Sequence, residues 1–154
     1  MIQEWIYVAV ISALPWIELR GGIPVGIFTF HWNPILALAV GTLGNVAVIY
    51  PVLLFLEKFF ELLNKVPFMG GVIKRTRDKA EPYVEKYGML GLGVFVAIPL
   101  PGTGAWSGAL AAHIFGLDNR RAFVSIALGV VAAGVIVTVV CLFFRENLGF
   151  FIKY

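Results

Sequence analysis

Only two apolar stretches of this chain are long enough to cross a bilayer, residues 34–56 and 122–144. Each makes about 35 Å of helix against a hydrocarbon core of about 30 Å, which allows some tilt. The other apolar pieces, residues 5–14, 23–30, 89–98 and 105–115, reach only about 12 to 17 Å at about 1.5 Å per residue. They come in pairs around breaks rich in proline and glycine, 15–22 in the first pair and 99–104 in the second. Half-spans joined by such a break predict a re-entrant helical hairpin. With 60% hydrophobic and 14% charged residues over 154 positions, the chain reads as a single all-α integral membrane domain covering 1–154.

The two halves correspond at one offset. Pro15 maps to Pro99 and Pro34 to Asp118; 99 − 15 and 118 − 34 are both 84. The expected fold is therefore an inverted repeat of two re-entrant hairpins, each followed by one spanning helix: repeat one about 1–56, a linker about 57–87, repeat two about 88–145. The competing topology makes each hairpin one continuous span, with Pro15, Pro24, Pro99 and Pro101 inside two of four conventional helices.

Basic residues concentrate in the linker: Lys58, Lys65, Lys74, Arg75, Arg77, Lys79 and Lys86. With Arg120 and Arg121 they predict a multi-pass cell-membrane protein with a cytoplasmic linker and both termini extracytoplasmic; Arg145 and Lys153 run against the rule. A solvated stretch near anionic headgroups accounts for this charge without nucleic acid. The linker is expected to continue the first span as an amphipathic helix until Pro67 and Gly70-Gly71 break it, with a second basic helix running to about Gly88. Trp5, Trp32, Tyr87 and Tyr154 fit interfacial anchors. The first apolar segment has Glu4 where a signal peptide carries basic residues, so it is read as part of the mature fold.

Glu18 and Arg20 lie inside the first break, and an ionisable residue at that depth is a functional-site hypothesis by default. Two residues apart, they share a side of an extended strand but not of a helix, so a segment unwound by Gly21, Gly22 and Pro24 turns both toward one cavity. Glu18 then carries a coupling proton or other ion, and Arg20 binds an anionic group or sets the charge state of Glu18. The alternative is a static pair locking the hairpin tip. In the second break, Pro99, Pro101, Gly102, Thr103 and Gly104 precede a helix whose free N–H groups suit an anion, with Thr103 as its cap. Asn45 is placed to hydrogen-bond the hairpin tip or to join helices. His31 and His113 lack metal-site clustering, and Cys141 is the single cysteine, so no metal site, cofactor or disulfide is expected. No nucleophile, base and orienter set is visible, which argues against an enzyme. Small residues at Gly104, Gly108 and 129–134 suggest a homodimer.

The runs Ile17-Glu18-Leu19-Arg20-Gly21-Gly22-Ile23-Pro24 and Ile98-Pro99-Leu100-Pro101-Gly102-Thr103-Gly104-Ala105-Trp106-Ser107-Gly108-Ala109 resemble the two signature stretches of the putative small multidrug export protein family. The architecture also resembles the DedA superfamily, which implies re-entrant hairpins in inverted repeats and proton-dependent movement of lipids or lipid phosphates. Here the second hairpin has Gly102, Thr103 and Gly104 where an arginine-containing DedA motif is expected. These readings converge on a transporter, ion- or proton-coupled, that moves a small molecule or lipid through a mid-membrane site and has membrane lipids for neighbours. The rival is an uncoupled lipid scramblase, a flippase or a membrane structural module.

Overall fold

The computed structural model describes residues 2–151, with side chains described as far as Glu146. Lys153 and Tyr154, which enter the topology and anchor readings, lie outside the described residues. The described residues form helices and no strand: α1 (Ile2–Ala13), α2 (Glu18–Pro24) with a π-helical turn (Val25–Thr29), α3 (Pro34–Asn64), α4 (Pro67–Ala97), α5 (Ala105–Ile114) and α6 (Asn119–Phe151). Two of them are long and apolar enough to cross a membrane by length and composition, Pro34–Asn64 and Asn119–Glu146. Their outer faces leave Ile35, Leu43, Leu128, Val139 and Phe143 exposed, an apolar surface suited to lipid.

Local chemistry sets the helix ends. Asn33 accepts the Ile35 N–H at 2.8 Å and Pro34 occupies the first turn, where its missing N–H costs nothing, so α3 starts there. Asp118 accepts the Arg121 N–H at 3.1 Å and opens α6 in the same way. Helix α5 is closed by Leu117 N–H bonding Ala112 O and Gly116 N–H bonding His113 O, the paired bonds of a Schellman motif.

The break between α3 and α4 falls at Lys65 and Val66, where Val66 is extended, as a residue before proline must be. Gly70 and Gly71, expected to interrupt the chain, instead sit inside α4: the proline in the first turn starts that helix, and glycine alone weakens a helix without ending it. Helix α4 turns sharply at Gly88 (φ 55°, ψ −125°), so it works as a basic arm, 67–87, and a short apolar arm, 89–97.

The first hairpin packs α1 against α2 and the π-helical turn. Ser12 lies against Gly22 in its interior, while Tyr7 meets Phe30 at 6.0 Å and Trp5 meets Trp32 at 5.9 Å near its open end. Trp32 also donates to Glu4 at 3.3 Å and is buried, so it serves packing within the hairpin more than anchoring. Arm 89–97 and α5 form the second hairpin, in which Gly108 lies against Val96. The break in the first hairpin is shorter than its prolines and glycines suggest. Only residues 14–17 leave the helix, and Arg20, Gly21, Gly22 and Pro24 are helical. Pro24 withholds one N–H, and the π-helical turn that follows absorbs the irregularity.

Glycines let the long helices approach the hairpins closely. A Cβ on Gly44 would sit 2.5 Å from Ala9 O, and one on Gly129 would sit 2.5 Å from Gly93 O. Gly104, Gly108, Gly129 and Gly134 each face another part of this same chain. These glycines of the stripe read as a self-association surface pack within the protomer, while Val131 and Ala132 between them are exposed.

Candidate functional site

Glu18 closes the first break in the left-handed region, φ 52°, which a residue with a Cβ adopts only where its surroundings impose it. Its amide donates to Leu14 O at 3.0 Å, completing the turn that sends the chain back along α1. The side chain is 4% exposed and reaches the other hairpin, where Oε1 accepts the Trp106 N–H at 3.3 Å. The helix end expected to hold a bound anion thus already holds one of the protein's own carboxylates.

Gly104 makes that approach possible. A Cβ there would lie 1.9 Å from Glu18 Oε2, and its φ of 147° is one that L side chains rarely adopt. Thr103 does not cap α5, since no side-chain cap bond is made at that end. Its hydroxyl points back into its own break, close to Ile98 O and Leu100 O, and takes the Leu100 N–H at 3.3 Å.

Arg20 comes beside Glu18 by a route other than the one expected. The extended-strand argument fails because Arg20 is helical; the left-handed turn at Glu18 reorients its side chain instead, leaving Nη1 at 3.7 Å from Glu18 Oε2. Arg20 Nη2 donates to Thr103 Oγ1 at 2.9 Å and lies 3.5 Å from Ile98 O. The guanidinium therefore bonds the second hairpin more tightly than it bonds its neighbouring carboxylate, and its Nε has no partner among the described residues.

Sequence reasoning missed three contributors. Trp106 supplies the amide that Glu18 accepts, and its indole N–H bonds Ala13 O at 3.0 Å, so one residue ties both breaks together. Lys79 on the basic arm donates to Pro101 O at 2.8 Å and fastens that arm to the second break. Ser12 is fully buried against Gly22 and Gly41. A tryptophan just after a Gly-rich break was the available signal for Trp106; for Lys79 and Ser12 there was none. Asn45 is fully buried on α3, with its side chain directed at the Glu18 carboxyl. Pro99 stays within the second break. Gly21 packs on Ile17, Gly22 on Ser12, and His113 lies tilted against Phe60 with ring centroids 4.4 Å apart, so these shape the scaffold.

A cavity of about 450 Å³ opens below this junction, between the second half of α3 and the basic arm of α4. Trp16, Phe55, Leu56, Phe68, Met69, Val72 and Leu110 supply apolar walls, while Glu18, Arg20, Thr103 and Ser107 bring polar groups to it. Pro101 and Gly102 form part of its rim. Its volume lies within the roughly 300 to 1,000 Å³ typical of small-molecule sites, and its mix of apolar wall and few polar groups is the usual one. No group of three or more metal-ligating side chains occurs among the described residues.

Residues 18–136 match the protein family described as "Putative small multi-drug export protein". No curated protein and no solved structure matches the chain.

Proposed function

This chain belongs to the putative small multi-drug export protein family, and on that premise we propose that it is a proton-coupled membrane transporter whose cargo, a small amphipathic molecule or lipid, occupies the cavity below Glu18. The observation that carries this reading is one cavity with an apolar wall and a single buried carboxylate at its polar end. Apolar surface takes a cargo out of lipid or water without demanding one exact shape. Glu18 supplies a charge that a proton can cancel, and burial of that carboxylate makes its protonation and cargo binding compete for one environment.

In this proposal the two short hairpins are re-entrant and related as an inverted repeat. Equivalent packing supports it. Ala9 meets Gly44 and Ser12 meets Gly22 in the first half; Gly93 meets Gly129 and Val96 meets Gly108 in the second, where 93 − 9 and 96 − 12 equal 84 while their partners give 129 − 44 = 85 and 108 − 22 = 86. The basic arm and Arg120-Arg121 then lie on the cytoplasmic side, both termini outside, and the cavity opens toward the cytoplasm.

The test is flux in proteoliposomes under an imposed pH gradient, with tetraphenylphosphonium and fluorescent phospholipids as probe cargoes. Glu18→Gln keeps an oxygen for the Trp106 N–H and leaves Arg20 its contacts with Thr103 and Ile98. The variant is expected to fold, to bind the probe and to lose gradient-driven flux. Full pH-driven flux in the folded variant rules out Glu18 as the proton carrier. Lipid exchange that ignores both the gradient and the substitution identifies an uncoupled scramblase instead.

A further inference from the structure

A second concavity shares no residue with the cavity below Glu18. It is an open groove of about 610 Å³ between the start of α6 and the short apolar arm of α4. Met89 and Leu90 form one wall, Val124, Ser125 and Leu128 the other, and Arg120 and Arg121 stand at one end. The Ser125 hydroxyl donates to Met89 O, and Gly129 lies against Gly93, so the two walls are fastened to each other and the groove is part of the fold.

The groove changes polarity along its length. Arg120 and Arg121 come from the first turn of α6, and Val124, Leu128, Val131 and Val135 continue down that helix as an exposed apolar stripe at helical spacing. Leu90 and Val94 make a second exposed stripe on the neighbouring arm. Helix α6 is long and apolar enough to cross a membrane, which sets the stripes in hydrocarbon and the arginines at the headgroups. Tyr87, exposed just before the kink and with Lys86 Nζ 5.0 Å from the centre of its ring, suits the same depth.

Among the described residues, neither the Arg120 nor the Arg121 guanidinium has a hydrogen bond or ion pair, and no acidic side chain lines the groove. The acids beside them are engaged elsewhere: Asp118 accepts the Arg121 backbone N–H at 3.1 Å, and Glu57 accepts from Asn119 at 2.8 Å. Nor does the packing shared by the two halves demand these cations, since Ile35, Leu36 and Ala37 hold the corresponding places 84 to 85 positions earlier. Two unpaired guanidiniums at the head of an apolar trough match a molecule with a phosphate next to acyl chains, because the planar guanidinium meets phosphate oxygens two at a time. A zwitterionic headgroup brings a cation that the arginines repel; a headgroup with net negative charge does not.

We propose that this groove is a binding site for an anionic phospholipid, with the phosphate on Arg120 and Arg121 and an acyl chain along Leu90, Val124 and Leu128. The site is separate from the cargo cavity and stands whether or not Glu18 carries a proton. On the topology proposed above, the arginines face the cytoplasmic leaflet, whose anionic lipids give that surface its negative potential. A lipid in the groove touches the apolar arm and α6 together. It thereby braces the kink at Gly88, where an added Cβ would meet no atom within 4 Å.

The test is native mass spectrometry of the full chain in detergent, titrated with phosphatidylglycerol or with phosphatidylcholine of the same acyl chains, reading the affinity of the first bound lipid. Phosphatidylglycerol is expected to bind about tenfold or more tightly, and the double variant Arg120→Gln, Arg121→Gln to erase that preference. Both arginines are exposed, so the double variant is expected to fold. Leu128→Trp fills the trough while leaving the charge, and is expected to weaken the first binding of phosphatidylglycerol; Val139→Trp, exposed farther along α6, is expected to leave it unchanged. Equal affinity for the two lipids overturns the proposal, as does unchanged binding in folded Leu128→Trp. Lys74→Gln with Arg77→Gln removes the same charge from exposed positions of the basic arm outside the groove, and an equal loss of preference there overturns the proposal in favour of diffuse attraction. Displacement of the lipid by millimolar glycerol phosphate overturns it in favour of a soluble phosphate. A first lipid lost in Val72→Trp but kept in Leu128→Trp assigns that lipid to the cargo cavity instead and likewise overturns it.

Discussion

Gly104→Ala tests the junction of the two breaks most directly, because one added carbon meets two separate obstacles. The first is the backbone: φ 147° and ψ −162° lie where residues with a Cβ are held at a cost of about 1 to 3 kcal/mol. The second is Glu18, whose Oε2 would be 1.9 Å and Cδ 2.7 Å from the new carbon, so the carboxylate must withdraw from α5. Withdrawal forfeits its bond with the Trp106 N–H, a charged hydrogen bond worth about 1.5 to 3 kcal/mol. Together the expected loss is about 2.5 to 6 kcal/mol, a large share of the roughly 5 to 15 kcal/mol that holds a domain folded. The assay is reversible unfolding in mixed micelles. Gly71→Ala serves as control: that glycine is helical with nothing near its Cβ, so alanine there is expected to stabilise by up to about 1 kcal/mol. In a Glu18→Ala background the steric part vanishes, and Gly104→Ala should cost only its backbone share. A Gly104→Ala cost no larger than that of Gly71→Ala, or one unaffected by removing Glu18, refutes the reasoning.

Arg20→Met takes away the cation beside Glu18 and the donor to Thr103 at once, and unfolding is expected to show a loss of about 3 to 5 kcal/mol, much of it recovered when Glu18→Gln is added. Trp106→Phe leaves Ala13 O without its indole donor and is expected to cost about 1 to 3 kcal/mol in the same assay. Gly22→Ala places a carbon 1.8 Å from Ser12 Oγ and should disrupt the first hairpin, with Ser12→Gly relieving it; equal stability of the single and double variants contradicts that packing. In a Cys141→Ser background, Gln3→Cys is expected to label only from outside and Lys74→Cys only from the cytoplasm, both positions being exposed; labelling from one side excludes the inverted arrangement.

Length, apolarity and punctuation were local properties, so the sequence by itself determined much of the scaffold. Two helices long enough to span, the short apolar helices, the break ahead of Ala105 and the turn at Gly88 all follow from runs of apolar residues interrupted by proline and glycine. Glu18, Arg20 and Thr103 were legible as candidates because charge and hydroxyl are costly in apolar surroundings. What they touch was not legible. Gly70 and Gly71 sit inside a helix because a proline-started turn and neighbouring contacts outweigh glycine propensity, which is worth only about 1 kcal/mol per residue. Whether the segment after Glu18 unwinds was decided by a single left-handed residue, held there by contacts more than 80 positions away in sequence. The same holds for the anion at the start of α5. Sequence gives the helix end its need for negative charge, but only the packing of one hairpin on the other brings Glu18 to it, and only Gly104 leaves the space. Asn45 is the clearest case: its amide is visible in one letter, whereas its burial beside the Glu18 carboxyl is a property of everything folded around it.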